Sequence, residues 1–359
     1  MKPYIPQKLP LKNINWEFLI EDIAKANRAL AKYDGLLQII PNPKLLLAPL
    51  TIKEAVLSSK IEGTQATFED VLNYEANPTK EVKNFADIQE VINYRKAIEY
   101  AITRLNELPL SVRLIKEIHK ILLSGVRGSN KNPGNFRNGQ VFIGKKGVDI
   151  QNATYIPPDP QLIDEYMTNL EKYMHYEEKD TLVQLSIIHA QFEIIHPFWD
   201  GNGRTGRILI PIFLYSKDII GMPMFYLSEY LETHREDYYN YLNNVSKEQD
   251  WESWIQFFLK AITQQSINNI NKINKIVTLY NELKNEIVDM PTPKNSIKVL
   301  DFLFSTPIFS SKKMENQTGI EKRSIYRVIS FLIDKKIISS DEKERNKTFY
   351  FDELLKIIA

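Results

Sequence analysis

Apolar positions recur at helical spacing over most of this chain. From Phe85 to Leu105 they fall three and four residues apart, at Ile88, Val91, Ile92, Ala97, Ile98 and Ile102, the period of a helix with one buried face. Pro109 interrupts the pattern, and a second helix is predicted from Ser111 to Leu123. Residues 181–195 (TLVQLSIIHAQFEII) are apolar nearly all round, which predicts a buried central helix. Another helix is expected near 204–216, and Trp251 to Leu283 reads as one or two more. Nearer the start, residues 51–62 (TIKEAVLSSKIE) space Thr51 and Glu54 as a capping box. Ile52, Ala55, Ser59 and Glu62 share one stripe there, and Gly63 is placed to stop the helix.

Two stretches depart from this pattern. Residues 125–160 carry six Gly and four Pro. Within them Gln140–Ile143 and Ala153–Ile156 read as two short strands around a turn near Lys145 to Asp149, a β-hairpin on a helical domain. The second departure is the Pro-rich linker Asp289–Lys294. Beyond it the pattern predicts helices at 295–304, 311–316 and 321–335, with Thr318-Gly319 as a turn, then strands at 337–339 and 348–351. That order is a winged helix-turn-helix. The fold class is therefore mainly α: an N-terminal helical region (1–84, with the helix at 51–63), a helical core (85–288) carrying the hairpin, and a winged helix (294–359).

Composition narrows the picture. A length of 359 residues fits two or three domains at about 150 each. Hydrophobic residues at 43% and charged residues at 25% are those of a soluble globular protein. Lys+Arg number 46 against 45 Asp+Glu, so there is no global pull toward nucleic acid or an anionic membrane. Residues 294–359 are mildly basic, with 13 Lys+Arg and 9 Asp+Glu. The absence of cysteine excludes disulfides, thiolate metal sites and thiol catalysis. The first residues have no continuous apolar stretch, and the longest apolar run, Ile208–Tyr215, is too short to span a membrane. A soluble, cytoplasmic protein is expected.

Chemistry concentrates in His196-Pro-Phe-Trp-Asp200-Gly-Asn-Gly-Arg204-Thr-Gly-Arg207. Gly201, Gly203 and Gly206 allow close backbone approach. They lie between one helix ending near Ile195 and the next beginning near Asn202, and a helix N-terminus is an anion site. Arg204 and Arg207 share a face and suit phosphate oxygens. Asp200 is a hard oxygen ligand suited to Mg²⁺, and His196 is a candidate general base. Together they point to phosphoryl or nucleotidyl transfer. A competing transition-metal reading places His189, Glu193 and His196 on one helical face. Pro197 ends the helix there, no HExxH pairing exists, and His189 reads better as a core histidine.

His196 to Arg207 resembles, position for position, the HPFxDGNGRxGR motif of the Fic family (Fic/Doc fold). The resemblance implies a helical core that transfers AMP from ATP to a protein hydroxyl. Carried over, His196 deprotonates a Tyr, Thr or Ser hydroxyl of the target and Asp200 holds Mg²⁺ between α- and β-phosphates. Gly201, Asn202, Gly203 and the following amides, including those of Thr205 and Gly206, cradle the phosphates. Arg204 and Arg207 take the β- and γ-oxygens. The intact motif favours AMP over other transferred groups.

Ser58-Ser-Lys-Ile-Glu62-Gly63 is similar to the family's inhibitory [ST]xxxE[GN] motif. Glu62 already stands out, because a carboxylate extending an apolar stripe needs a cation. The resemblance pairs it with Arg207, so that it holds off the ATP γ-phosphate, and has Ser58 hydrogen-bond Glu62. A self-inhibited, class II enzyme is implied. By the same resemblance the 140–156 hairpin is the flap on which a target protein docks by β-augmentation. Tyr238 and Tyr239 are candidates to flank the adenine, with a core role as the alternative. For the winged helix, a protein contact or a homodimer is the favoured reading. DNA is the alternative partner, through Lys322, Arg323 and Arg327, and would make the protein an ATP-binding regulator. Some family members also remove AMP, and the sequence does not choose the dominant direction.

Overall fold

The computed structural model describes residues 2–79, 81–144, 149–343 and 346–358. Among them helices run as α1 (Trp16–Ile39), α2 (Pro43–Leu46), α3 (Ala48–Ile61), α4 (Phe68–Ala76), α5 (Phe85–Arg104) and α6 (Val112–Leu122). They continue as α7 (Ile163–Met174), α8 (Thr181–Ile195), α9 (Asn202–Ser216), α10 (Ser228–Thr233), α11 (Arg235–Glu248) and α12 (Trp251–Glu286). The last are α13 (Ser296–Ser305), α14 (Ser311–Thr318), α15 (Lys322–Asp334) and α16 (Asp352–Ile358). None is long and apolar enough to cross a membrane.

The chain folds as two compact units. One comprises residues 1–34, 57–64 and 92–267. Its centre is α8, buried along almost its whole length, with α7, α9 and α11 packed around it. The Asp180 side chain caps α8 by accepting from the amides of Leu182 and Val183, 2.9 Å each. The Trp254 indole donates to the carbonyl of Ser186 at 2.8 Å, deep in this core. Helix α6 begins as predicted, with Ser111 as its cap.

The expected hairpin is only partly formed. No strand occurs at 140–143 or 153–156. One antiparallel bridge joins Ile143 to Tyr155, with the Ile143 amide donating to the Tyr155 carbonyl at 2.8 Å. Ile150–Asn152, between the two expected strands, makes a 3₁₀ turn. The rest of the predicted turn, residues 145–148, lies outside the described residues.

The second unit comprises residues 35–56, 65–91 and 268–359. Its sheet runs β1 (Ile308–Ser310), β3 (Thr348–Tyr350), β2 (Ser339–Ser340), all antiparallel, with Phe309 opposite Phe349 and Ser339 opposite Tyr350. Helices α14 and α15 meet at Gly319, whose φ of 66° ends α14 in the left-handed region. Strand β1 and helix α16 escape the sequence reading, because three residues of strand and seven of helix are too short to show a period. Ile337 and Ile338 were expected to open a strand but lie buried ahead of β2. The Pro-rich segment 289–294 lies inside this unit, with Met290 buried.

The capping box expected at Thr51 is not there. Helix α3 starts at Ala48, with Pro49 in its first turn, where the missing amide costs nothing, so Thr51 and Glu54 fall inside the helix. The capping box that forms is Thr67 with Asp70, at the start of α4.

Candidate active site

Helix α8 ends at Ile195, and His196 follows in the left-handed region (φ 49°, ψ 60°), its amide still donating to the Phe192 carbonyl at 3.0 Å. Pro197 cannot extend the helix. The His196 Nδ1 lies 3.3 Å from the Glu193 carbonyl, so Nδ1–H donates there and Nε2 keeps its lone pair. Burial holds this imidazole down at about 4, against the pull of the Glu193 carbonyl and the Glu62 carboxylate. At neutral pH the ring is uncharged and able to accept a proton.

The turn after His196 is pinned from inside. Asn202 accepts from the Phe198 amide at 2.8 Å and donates to the Phe198 carbonyl at 2.9 Å, both buried. From α6, His119 takes the Gly134 amide on Nδ1 at 2.9 Å and lies 2.8 Å from the Asp200 carbonyl through Nε2. Because Nδ1 accepts, Nε2 carries the proton and donates. The ring stacks on Phe198, centroids 3.7 Å apart, and burial lowers its pKa to about 4. Gly201, at φ 77°, then opens α9. The amides at that helix start and its positive dipole end form an anion site, and Thr205 braces the turn by donating to the Gly201 carbonyl at 2.8 Å. Asn202→Ala is expected to lower stability by about 2–3 kcal/mol, since it strips two buried backbone groups of their partners. A thermal melt of the variant beside the wild type reads this.

Arg207, one turn into α9, is buried, and its guanidinium is held through Nε and Nη2. Nε donates to Ser58 Oγ, and Nη2 to the Ser58 carbonyl and to Glu62 Oε1, each at 2.8 Å. Burial pushes the Glu62 carboxyl up, but Arg207, with Arg204 behind it, outweighs this and leaves it below its ordinary value. A Cβ at Gly203 would run into Glu62 Oε1. The inhibitory candidate therefore lies against the first turn of α9, where an anion would sit. Ser58 and Glu62 are brought together as expected, although Ser58 bonds Arg207 and not Glu62.

Residues 20–103 match the Fic/DOC family N-terminal region and residues 109–214 the Fic/DOC family itself, together more than half of the chain. The chain belongs to the Fic/DOC family. Among curated relatives, a probable protein adenylyltransferase of Aquifex aeolicus is 28% identical over 191 residues, 52% of this chain and 55% of that protein. The protein adenylyltransferase Fic of Nematostella vectensis is 26% identical over 218 residues, 59% of this chain and 47% of that protein. The chain thus spans about half the length of the curated relatives it matches. A Fic family protein from Desulfovibrio desulfuricans superposes with a TM-score of 0.61 at 18% identity, over 96% of this chain and 98% of that one. Fic-1 of Caenorhabditis elegans gives 0.57 at 18% identity, over 72% and 74%. These two show a shared Fic fold.

Asp200 carries the hard oxygen of the Fic motif. Its side chain is 33% exposed; Oδ1 accepts from the Gly201 amide at 2.6 Å and faces Arg204 Nη2 at 3.5 Å. Magnesium usually takes one or two carboxylates and completes its shell with phosphates and water. A single half-open carboxylate beside an anion site fits that demand.

Tyr238 does not stand where it was expected. Its ring is 1% exposed, and its hydroxyl donates to His189 Nε2 at 2.9 Å. His189 Nδ1 in turn faces the Gly206 carbonyl at 3.3 Å. This chain of contacts braces α9 from below, and the ring left open beside it is Tyr239, 42% exposed. With both ring nitrogens occupied, His189 has no lone pair to give to the metal triad considered with Glu193 and His196.

Glu193 has its own part. Its Oε1 has no hydrogen-bond partner among the described residues, and a Cβ at Gly206 would run into it. Burial, opposed by Arg207 and aided by Glu62, raises its pKa to about 8. A raised native pKa means that the native state holds this proton between the unfolded value near 4.5 and about 8, and loses stability as pH rises through that window. Glu193→Gln is therefore expected to gain thermal stability relative to the wild type as pH goes from 5 to 8.5, read from melting curves at each pH.

Sequence reasoning missed His119 and Arg137. His119 lies on the buried face of an amphipathic helix, where a lone polar residue is the one available signal. Arg137 is one of two arginines in a glycine-rich stretch, with nothing to single it out.

Proposed function

We propose that this protein is a magnesium-dependent protein adenylyltransferase, moving AMP from ATP to a hydroxyl of a target protein and restrained by its own Glu62. The observation that carries this reading is the joint geometry of one turn. An uncharged imidazole, a half-open carboxylate and a helix start with Glu62 lying against it converge on that turn, with two buried arginines behind. In the transfer, the target oxygen forms a bond to the α-phosphorus and the bond from that phosphorus to the bridging oxygen breaks. Diphosphate leaves, and the hydroxyl proton passes to His196 Nε2. The α9 amides and the two arginines hold the phosphates, so catalysis rests on positioning and charge neutralisation. Asp200 would hold Mg²⁺, whose charge offsets that of the phosphates. In the restrained state Glu62 takes up Arg207 and the space beside Gly203, which keeps the γ-phosphate out of its productive place.

The target docks on the 140–156 flap by β-augmentation, where Phe142 and Ile143 are each 40% exposed. The same Glu62 can position a water for removal of AMP, and a cytoplasmic setting suits a cysteine-free chain. A second reading rests on α15, whose Lys322, Arg323, Tyr326 and Arg327 are exposed. Such a face fits weak, salt-dependent contact with DNA phosphates, and makes the protein a regulator that binds ATP without turnover.

The test uses wild type and Glu62→Gly with α-labelled ATP and Mg²⁺, followed by intact mass. Label on Glu62→Gly that is absent from Glu62→Gly/His196→Ala supports transfer of AMP. Transfer from γ-labelled ATP would replace this reading with a kinase reaction. No label on any variant, on itself or in a native lysate, together with a salt-dependent shift of a DNA fragment, would favour the regulator.

A further inference from the structure

A helix leaves its last four carbonyls without intrahelical partners. At the end of α8 these are next to the proposed base, His196, and the donors come from Tyr155 of the flap and from Arg137 just before it. Tyr155 Oη donates to the Ile194 carbonyl at 2.7 Å. Arg137 Nη2 reaches the Ile195 carbonyl at 3.5 Å, and Nε donates to the His196 carbonyl at 2.9 Å. The Arg137 amide donates to the Pro197 carbonyl at 2.9 Å.

The same guanidinium also holds both ends of the flap. Nη1 donates to the Gly139 carbonyl at 3.0 Å and Nη2 to the Pro158 carbonyl at 2.7 Å. Arg137 is 2% exposed and has no ion-pair partner among the described residues. Burying a cation without a counter-ion is costly. Here backbone carbonyls and the negative end of the α8 dipole compensate it. A planar fork with five donors fits this set of acceptors, and an ammonium on a flexible stem does not.

We infer that Arg137 is a positioning residue that fixes the target-docking flap and the catalytic base in one rigid frame. This rests on the adenylyltransferase reading and adds to it. Transfer needs the hydroxyl and the base within about 3–3.5 Å. The flap sets where the hydroxyl arrives and the end of α8 sets where Nε2 stands. One side chain bonded to both removes their relative motion. ATP is held elsewhere, by the start of α9 and by Arg204 and Arg207.

The test pairs two measurements. In the Glu62→Gly background, Arg137→Gln is expected to lower the rate of labelling from α-labelled ATP by about tenfold and to leave the affinity for a fluorescent ATP analogue unchanged. Arg137→Lys, which keeps the charge and loses the fork, should recover part of the rate. In the wild-type background, hydrogen exchange should show the amides of Ile143, Thr154, Tyr155 and His196 losing protection together in Arg137→Gln. An unchanged rate, or ATP affinity falling in step with the rate, overturns the inference. So does opening of the flap amides with His196 still protected. If Glu62→Gly with Arg137 intact labels nothing, the adenylyltransferase reading fails, and the exchange measurement still decides whether flap and base are coupled. Should Arg137→Gln not fold, Arg137→Lys carries both measurements.

Discussion

His196→Ala, made in the Glu62→Gly background, is expected to lower the rate of AMP transfer by about 10²- to 10⁴-fold, the range of a positioned general base. The binding of ATP should survive, because in the proposed reading the phosphates are held by α9 and not by α8. The rate is read from α-labelled ATP and the binding from a fluorescent analogue. Loss of both together would mean that the histidine supports the loop and does not take the proton. His196 is well placed for the first outcome: its Nδ1 is committed to the Glu193 carbonyl, and Asn202 and His119 hold the loop without it.

Glu62→Gly should act in the opposite sense, raising transfer by about 10- to 100-fold. A hydrogen bond to a charged group contributes about 1.5–3 kcal/mol, and each 1.4 kcal/mol is a factor of ten in rate. That is the scale of the hold that Glu62 has on Arg207. Stability should change less than this, because Arg207 keeps its two bonds to Ser58. The sign of the pH effect is fixed as well. The Glu62 carboxyl lies below its ordinary value, so its ion pair is complete at neutral pH and is lost only as pH falls through that lowered value. The ratio of the Glu62→Gly rate to the wild-type rate should therefore stay level from pH 6 to 8. A ratio that collapsed within that window would place the restraint elsewhere.

The site was largely legible because its parts are contiguous. His196 to Arg207 spans a helix end, a glycine turn and a helix start, and each residue type states its demand locally. Glu62 was legible for the opposite reason: a carboxylate on an apolar stripe requires a cation from elsewhere, and the resemblance named Arg207. Tyr238 was misplaced because an aromatic run gives no sign of which ring faces inward. His189 settles that by taking its hydroxyl. Arg137 gave no sign because its partners are main-chain carbonyls, which every residue has. Helices α1, α7 and α11 were not placed, whereas α5, α6, α8, α9 and α12 were read nearly to their ends. Strand β1 and helix α16 were not, since their order comes from pairing and burial and not from any repeat of their own. The Thr51 cap failed through a competing start three residues earlier, where Pro49 fits the first turn.

The backbone of His196, at φ 49° and ψ 60°, has a consequence for how such a chain changes over time. Glycine and asparagine occupy the left-handed region with little strain, whereas other side chains hold it at a cost of order 1 kcal/mol. The protein keeps a ring there that the local fold does not favour. Were selection for transfer relaxed, thermodynamics alone would reward replacement of this residue, while Asn202 and His119 would still be retained for folding. The first trace of a copy that had lost its chemistry would be a glycine or asparagine at position 196, inside an otherwise intact motif.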